Sequence, residues 1–222
     1  MESDLRAGEG RGDRLYGGAP LHARRRDQRE RIVAAARSVI AVNGYGNASI
    51  DEIVAKARVS RTSFYRFFGG KEECMLVLFE EAMSELADAF THAAGAEAPD
   101  ERIRLGVEGI VAGLGANPET ARVVLIEAVG ATPEVERARS EARRRFARLL
   151  TAEMRRYEGW RDRPETEVEL ISLALIAGLA EVVAEMVAGE EPGDWRDLVP
   201  PLTRFAMRAL TPQAVPQAPR LR

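Results

Sequence analysis

The 222-residue chain contains one cysteine, Cys74, and two histidines, His22 and His92. A single thiol excludes a disulfide framework and every multi-cysteine zinc or iron–sulfur site, and it suits a reducing compartment. Two widely separated histidines supply neither a metal cluster nor an acid–base pair, and without a Glu-x-x-His pair the di-iron bundle pattern is missing too. A phosphate-cradling G-x-x-x-x-G-K, a G-x-S-x-G elbow and an H-E-x-x-H are also absent, which weighs against an enzyme. Aromatic residues make up only 6%, and almost nothing reads as strand. Uncharged apolar runs are short. The longest, 170–180 between Glu169 and Glu181, falls below the ~20 residues of a membrane span. The first residues, with Glu2, Asp4, Glu9 and Asp13 and no apolar run, lack the form of a secretory signal. The expectation is a cytoplasmic protein that uses no metal or cofactor and engages no membrane.

What is present is a divided charge. The formal net charge is −3, but 23–74 holds eleven Lys and Arg against six Asp and Glu, a net of +5. The stretch 75–222 carries −7. A basic head on an acidic body suggests one module for a polyanion and another for a different task. Apolar residues recur with a period near 3.6 through most of the chain, predicting an all-α protein of nine or ten helices. The expected spans are 25–43, a short helix from Ser49, another from Ser60 to about 68, 71–94, 100–116, 118–129, 133–157, 165–189 and 200–210, with an extra turn near 194. The expected domains are a disordered arm (1–22), a DNA-binding head (23–74), a helical effector-binding and dimerisation body (75–211) and a disordered tail (212–222).

The head carries the chemistry. Ser49-Ile50-Asp51-Glu52 has the S-x-x-E form of a capping box, and Ser60 can cap the next short helix. Two short helices joined by a tight turn inside a basic three-helix unit describe a helix-turn-helix. Val59, Phe64 and Phe68 form the back of the second helix. Arg61, Thr62, Tyr65, Arg66 and Phe67 then fall on its open side. Arginine suits guanine edges or phosphate, and threonine a hydrogen bond or a thymine methyl. Arg24, Arg25 and Arg26 read either as a DNA-seeking arm or as loose surface charge.

In order and spacing, Gly44-Tyr45, 48–54, 59–68 and Lys71-Glu72-Glu73 resemble the DNA-binding head of TetR/AcrR-type transcriptional regulators. The resemblance implies DNA contacts at Ser49, Ser60, Arg61, Thr62, Ser63, Tyr65, Arg66, Phe67 and Lys71, with Lys71 on a phosphate. It further implies a homodimer on a double-stranded, pseudo-palindromic operator, and release by a small-molecule effector; repression is the expected role, activation the alternative. A helical enzyme or an adaptor without DNA binding is the competing class. The sequence departs from the family at Arg58, where a turn glycine is usual, implying a left-handed residue or a different turn. At Phe67 a polar residue is common; Phe67 would touch sugar or a thymine methyl, or be partly buried.

In the body, 165–189 is apolar on nearly all sides, and such a helix must be covered on all sides. One face can pack on its own subunit and the other on a second copy, making Leu170, Leu173, Ala177, Gly178, Ala180, Val183, Leu202, Phe205 and Ala209 the expected dimer interface. Val107, Ile110, Val111, Leu114, Val124, Leu125, Phe146, Leu149, Leu150 and Leu173 either line an effector cavity or fill a core. Trp160 and Trp195 close a core edge or flank a ligand. Arg143-Arg144-Arg145 reads as a solvated face with Glu141 pairing Arg145 at i,i+4. Cys74, beside Met75 and Leu78, reads as a buried inert thiol.

Overall fold

The computed structural model describes residues 21–189 and 194–210, and among these it is all-α. The expected disordered tail, and the arm before residue 21, lie outside the described residues; Leu21 and His22 instead begin the first helix. Helix α1 (Leu21–Asn43) buries Ile32, Ala35, Ala36, Val39 and Ile40, the predicted stripe. Gly44 follows at φ +80°. Helix α2 (Ile50–Ala57) opens on the capping box: Ser49 Oγ accepts from Glu52 N–H at 3.2 Å, and the Glu52 carboxylate accepts from Ser49 N–H at 2.9 Å. The Ser49 hydroxyl, donating to the same carboxylate at 2.6 Å, and then the Ser49 N–H hold the Glu52 carboxyl below the usual range.

Arg58 ends α2 in the left-handed region, φ 54° and ψ 48°. Of the two expected alternatives the chain takes the left-handed one. It lets Val59 N–H reach Val54 O at 3.1 Å at a cost of roughly 1–2 kcal/mol for a residue with a Cβ. Helix α3 (Arg61–Tyr65) starts at Ser60, whose Oγ accepts from Ser63 N–H at 3.1 Å. Helix α4 (Lys71–Ala93) places Glu72 and Glu73 in its first turn, where the helix dipole favours carboxylates.

The body follows as α5 (Pro99–Ala116), α6 (Pro118–Arg122), α7 (Pro133–Met154), α8 (Glu165–Ala188) and α9 (Val199–Leu210). A 3-10 turn, Trp195–Leu198, precedes α9. The single helix expected over 118–129 does not form: after Arg122 the chain widens into a π-helical turn, Val123–Glu127, closed by Ala128 N–H on Val123 O at 2.9 Å. Side-chain caps set two of these starts, Asn117 on Thr120 N–H and Thr132 on Val135 N–H.

Helix α4 packs along α5 and α7, α7 along α8, and α5 against α9, while α1 crosses α2, α4 and α6. One core runs without a break from Ile53, Phe64 and Phe68 through Met75 and Phe79 into Val111, Val124 and Phe146. A smaller core gathers Leu150, Met154, Trp160, Val168, Leu175 and Leu210. Trp160 closes its edge and donates its indole N–H to Leu210 O at 2.6 Å. Trp195 closes another: a Cβ on Gly115 would stand 2.8 Å from its ring. Cys74 is fully buried, and burial pushes its thiol up to about 12.

Candidate nucleic-acid interface and the cavity behind it

Helix α3 turns Phe64 inward with Phe68 and leaves Arg61, Thr62, Tyr65 and Arg66 exposed. The open side is therefore polar and basic, as its spacing predicts. In the free protein Arg61 is already engaged: its guanidinium donates to Asp51 on α2 at 2.5 Å and to the Tyr65 hydroxyl at 3.3 Å. Both partners are solvent-exposed, so the arrangement is easily exchanged. Arg66 and Thr62 have no such partner among the described residues. Ser60 and Ser63 spend part of their hydrogen-bonding capacity on the cap, Ser60 Oγ donating to Ser63 Oγ at 3.0 Å. Phe67 is half-buried and packs on the core, the second of its two alternatives.

Lys71 departs from expectation. Its ammonium donates to the carbonyls of Tyr45 at 2.5 Å, Ala48 at 2.8 Å and Gly46 at 3.4 Å, and lies 4.4 Å from the centre of the Tyr45 ring. Burial lowers its pKa. The three carbonyls converge because the 44–48 loop wraps over the start of α4. Lys71 thus ties that loop to α4 instead of standing free for phosphate. Of the basic triplet, Arg26 pairs with Glu30 at 2.7 Å while Arg24 and Arg25 are exposed.

Behind the head, α4, α5, α7 and α8 enclose a cavity of about 160 Å³. Seven of its walls were expected: Val107, Ile110, Val111, Leu114, Val124, Leu125 and Phe146. Leu150 lines a second, adjoining cavity, which shares Val107, Ile110, Ile176 and Leu179 with the first. Leu149 is partly buried against the core and lines neither. Leu173 corrects the reading outright: it is exposed, on the opposite side of α8. Conversely Val183 and Leu202 are buried in the cavity wall, with Ala180 beside them, so they do not form an outer face. Ala209 packs against the smaller core.

Arg139 and Arg143 also line the main cavity, so the triplet on α7 is not one solvated face. Only Arg144 and Arg145 are solvent-exposed, and Glu141 pairs with Arg148 at 2.7 Å instead of Arg145. Spacing was a usable signal: residues 139, 142 and 143 lie on one side of α7 with Phe146.

The outer side of α8 remains uncovered. Leu170 is 67% exposed, and Leu173, Ala177, Gly178 and Val182 follow it along the helix, with Phe205 of α9 50% exposed. Among the described helices α8 is long and apolar enough to cross a membrane by length and composition, with a mean hydropathy of 2.1. The short run between Glu169 and Glu181 had concealed this. Only 17% of that stretch is buried inside the subunit.

Cavity and head are joined at the π turn. Glu127 accepts from Tyr45 N–H at 3.0 Å, and its carboxylate lies 3.2 Å from where a Cβ on Gly44 would sit. Ser38 on α1 donates to Glu119 on α6 at 2.8 Å. The same five-residue turn carries the cavity walls Val124 and Leu125.

Residues 32–78 match the family of bacterial regulatory proteins of the tetR type. That segment is a TetR-type DNA-binding head. It is 28% identical over 175 residues to the HTH-type transcriptional regulator EthR of Mycolicibacterium smegmatis, covering 75% of this chain and 78% of that one. A TetR-family regulatory protein from Rhodococcus RHA1 superposes with a TM-score of 0.68 at 25% identity, over 82% of this chain and 96% of the other. FadR of Bacillus subtilis, whose structure holds stearoyl-CoA, superposes with a TM-score of 0.71 at 20% identity, covering 83% and 99%. The helix-turn-helix head and the helical C-terminal domain are those of a TetR-type transcriptional regulator, and the proteins the chain resembles are themselves transcriptional regulators.

Proposed function

We propose that this regulator is a cytoplasmic, effector-responsive repressor acting as a homodimer, with 23–74 as the DNA-binding unit and 75–211 as the effector and dimer unit. The observation that carries the reading is the π turn, in which Val124 and Leu125 face the cavity while Glu127 holds the backbone of the loop entering α2. A molecule that displaces those two walls shifts the carboxylate with them, and the head moves relative to the body. Coupling needs such an element, whose position both sites bias. The stearoyl-CoA bound by a protein of the same fold supports a ligand role for the body. The uncovered face of α8, with Phe205 of α9, supports a second copy as its cover, since monomers seldom expose so large an apolar patch.

On DNA, Arg61, Thr62, Tyr65, Arg66 and Ser63 would address the major groove from α3, and Ser49 and Ser60 the backbone at the two caps. Phe67 would add an apolar contact at the helix end, and Arg24, Arg25 and Arg26 a phosphate contact from α1. Lys71 would then serve DNA by fixing the 44–48 loop. The test is enrichment of bound duplexes from random DNA by the full chain. The expected outcome is an inverted repeat with half-sites placed for successive major-groove faces, about 34–36 Å or a multiple apart. Enrichment of no sequence, or of one asymmetric half-site bound by a single subunit, would overturn the reading.

A further inference from the structure

The two adjoining cavities make an elongated apolar space with one arginine at one end and two at the other, and the three differ in kind. At the end lined by Phe90, Leu175 and Leu210, Arg102 is neutralised. Its Nε donates to the Glu153 carboxylate at 2.5 Å, and its Nη1 donates to Ala96 O at 3.0 Å and Glu97 O at 2.7 Å. At the end nearer the head, Arg139 is engaged by both oxygens of Glu136, at 2.8 and 2.9 Å. Arg143 is not so satisfied. It lines the cavity half-buried, donates one bond, to Ser140 Oγ at 3.1 Å, and makes no direct ion pair among the described residues, feeling the Glu136 carboxylate only at longer range. A guanidinium beside hydrocarbon walls, with most of its five donors open, is a receptor for a planar anion.

We propose that the effector is an anionic amphiphile, a carboxylate on an extended hydrocarbon chain, with its carboxylate on Arg143 and its chain between α5 and α8. The inference rests on the reading of the cavity as the effector site. The anion belongs at Arg143 because Arg102 and Arg139 already hold a carboxylate in direct contact, whereas Glu136 reaches Arg143 only at longer range and a ligand supplies the direct contact. The chain runs toward Ile110, Ile176 and Leu179, the side chains shared by both cavities. Salt-bridging Arg143 also draws on the cavity face of α7, which lies against α4 and α8.

The test compares decanoate with 1-decanol, the same chain length without the charge, by titration calorimetry on the full-length protein below micelle-forming concentrations. Decanoate binds at least roughly tenfold more tightly than decanol, as one charge-assisted hydrogen bond implies. In Arg143→Gln this preference disappears while decanol binding is unchanged, which shows that the cavity is intact. Arg143→Lys retains part of the preference. Equal binding of the two probes by the parent protein, or a preference that survives in Arg143→Gln, overturns the proposal. If decanol or another neutral ligand instead binds the cavity and releases DNA, the anion assignment fails while the effector-responsive reading stands.

Discussion

Replacing Glu127 by alanine probes the join between body and head. The carboxylate accepts from Tyr45 N–H at 3.0 Å in a part-buried setting. A bond to a charged acceptor contributes about 1.5–3 kcal/mol. The Arg122 contact at 3.5 Å adds little, since that side chain is 44% exposed and surface ion pairs contribute ~0–1 kcal/mol. Glu127→Ala should therefore lower unfolding free energy by about 2–3 kcal/mol. The measurement is urea unfolding at fixed protein concentration, with the midpoint falling and the slope unchanged. Glu127→Gln keeps an acceptor for Tyr45 N–H and should recover roughly half of the loss. Affinity for the enriched DNA should fall in Glu127→Ala, because the loop entering α2 loses its hydrogen bond to the π turn while Lys71 still ties it to α4. A Glu127→Ala protein within about 0.5 kcal/mol of the parent, a change typical of an uninvolved surface position, would refute the reasoning.

Glu153→Ala strands the buried Arg102 guanidinium and should cost about 3–5 kcal/mol, whereas Arg102→Met combined with Glu153→Leu should cost much less; thermal unfolding of the set distinguishes them. Gly178→Glu adds a side chain where a Cβ meets nothing within 4 Å, so the subunit should stay helical by circular dichroism while sedimentation shows loss of the dimer; an unchanged dimer would place the interface elsewhere. Cys74 should resist thiol reagents at pH 8 and react on unfolding, because burial pushes the native thiol from 9.0 to about 12. Between these values the unfolded chain releases the proton and the native one keeps it, so this group's stabilisation, full below pH 9, is lost as pH rises toward 12, a loss that Cys74→Ala should abolish.

Local signals were enough for the head. Ser49 and Glu52 fold back on the same short segment, Ser60 caps its own helix, and Phe64 and Phe68 share a face by helical period alone. Helix starts in the body have the same local character, with Asn117 and Thr132 capping them beside prolines at first-turn positions. The widening after Arg122 was not, because a π turn is imposed by packing against α1 and α8 and carries no residue signal of its own.

Phase and partnership were decided only in three dimensions. A helix as apolar as α8 has no sequence-defined inner face, so Leu173 was free to turn outward and Val183 inward until α7 and α9 packed against it. Long cations behave likewise. Lys71 and Arg143 look like surface charge in sequence, because a flexible side chain takes its role from the acceptors that distant segments bring within reach. For Lys71 those are three loop carbonyls; for Arg143, a single serine hydroxyl at the wall of an apolar cavity. The sequence by itself determined the elements, the basic head and its polar helix face. Tertiary packing decided which side chains the cavity received, because burial depends on neighbours that local sequence does not specify.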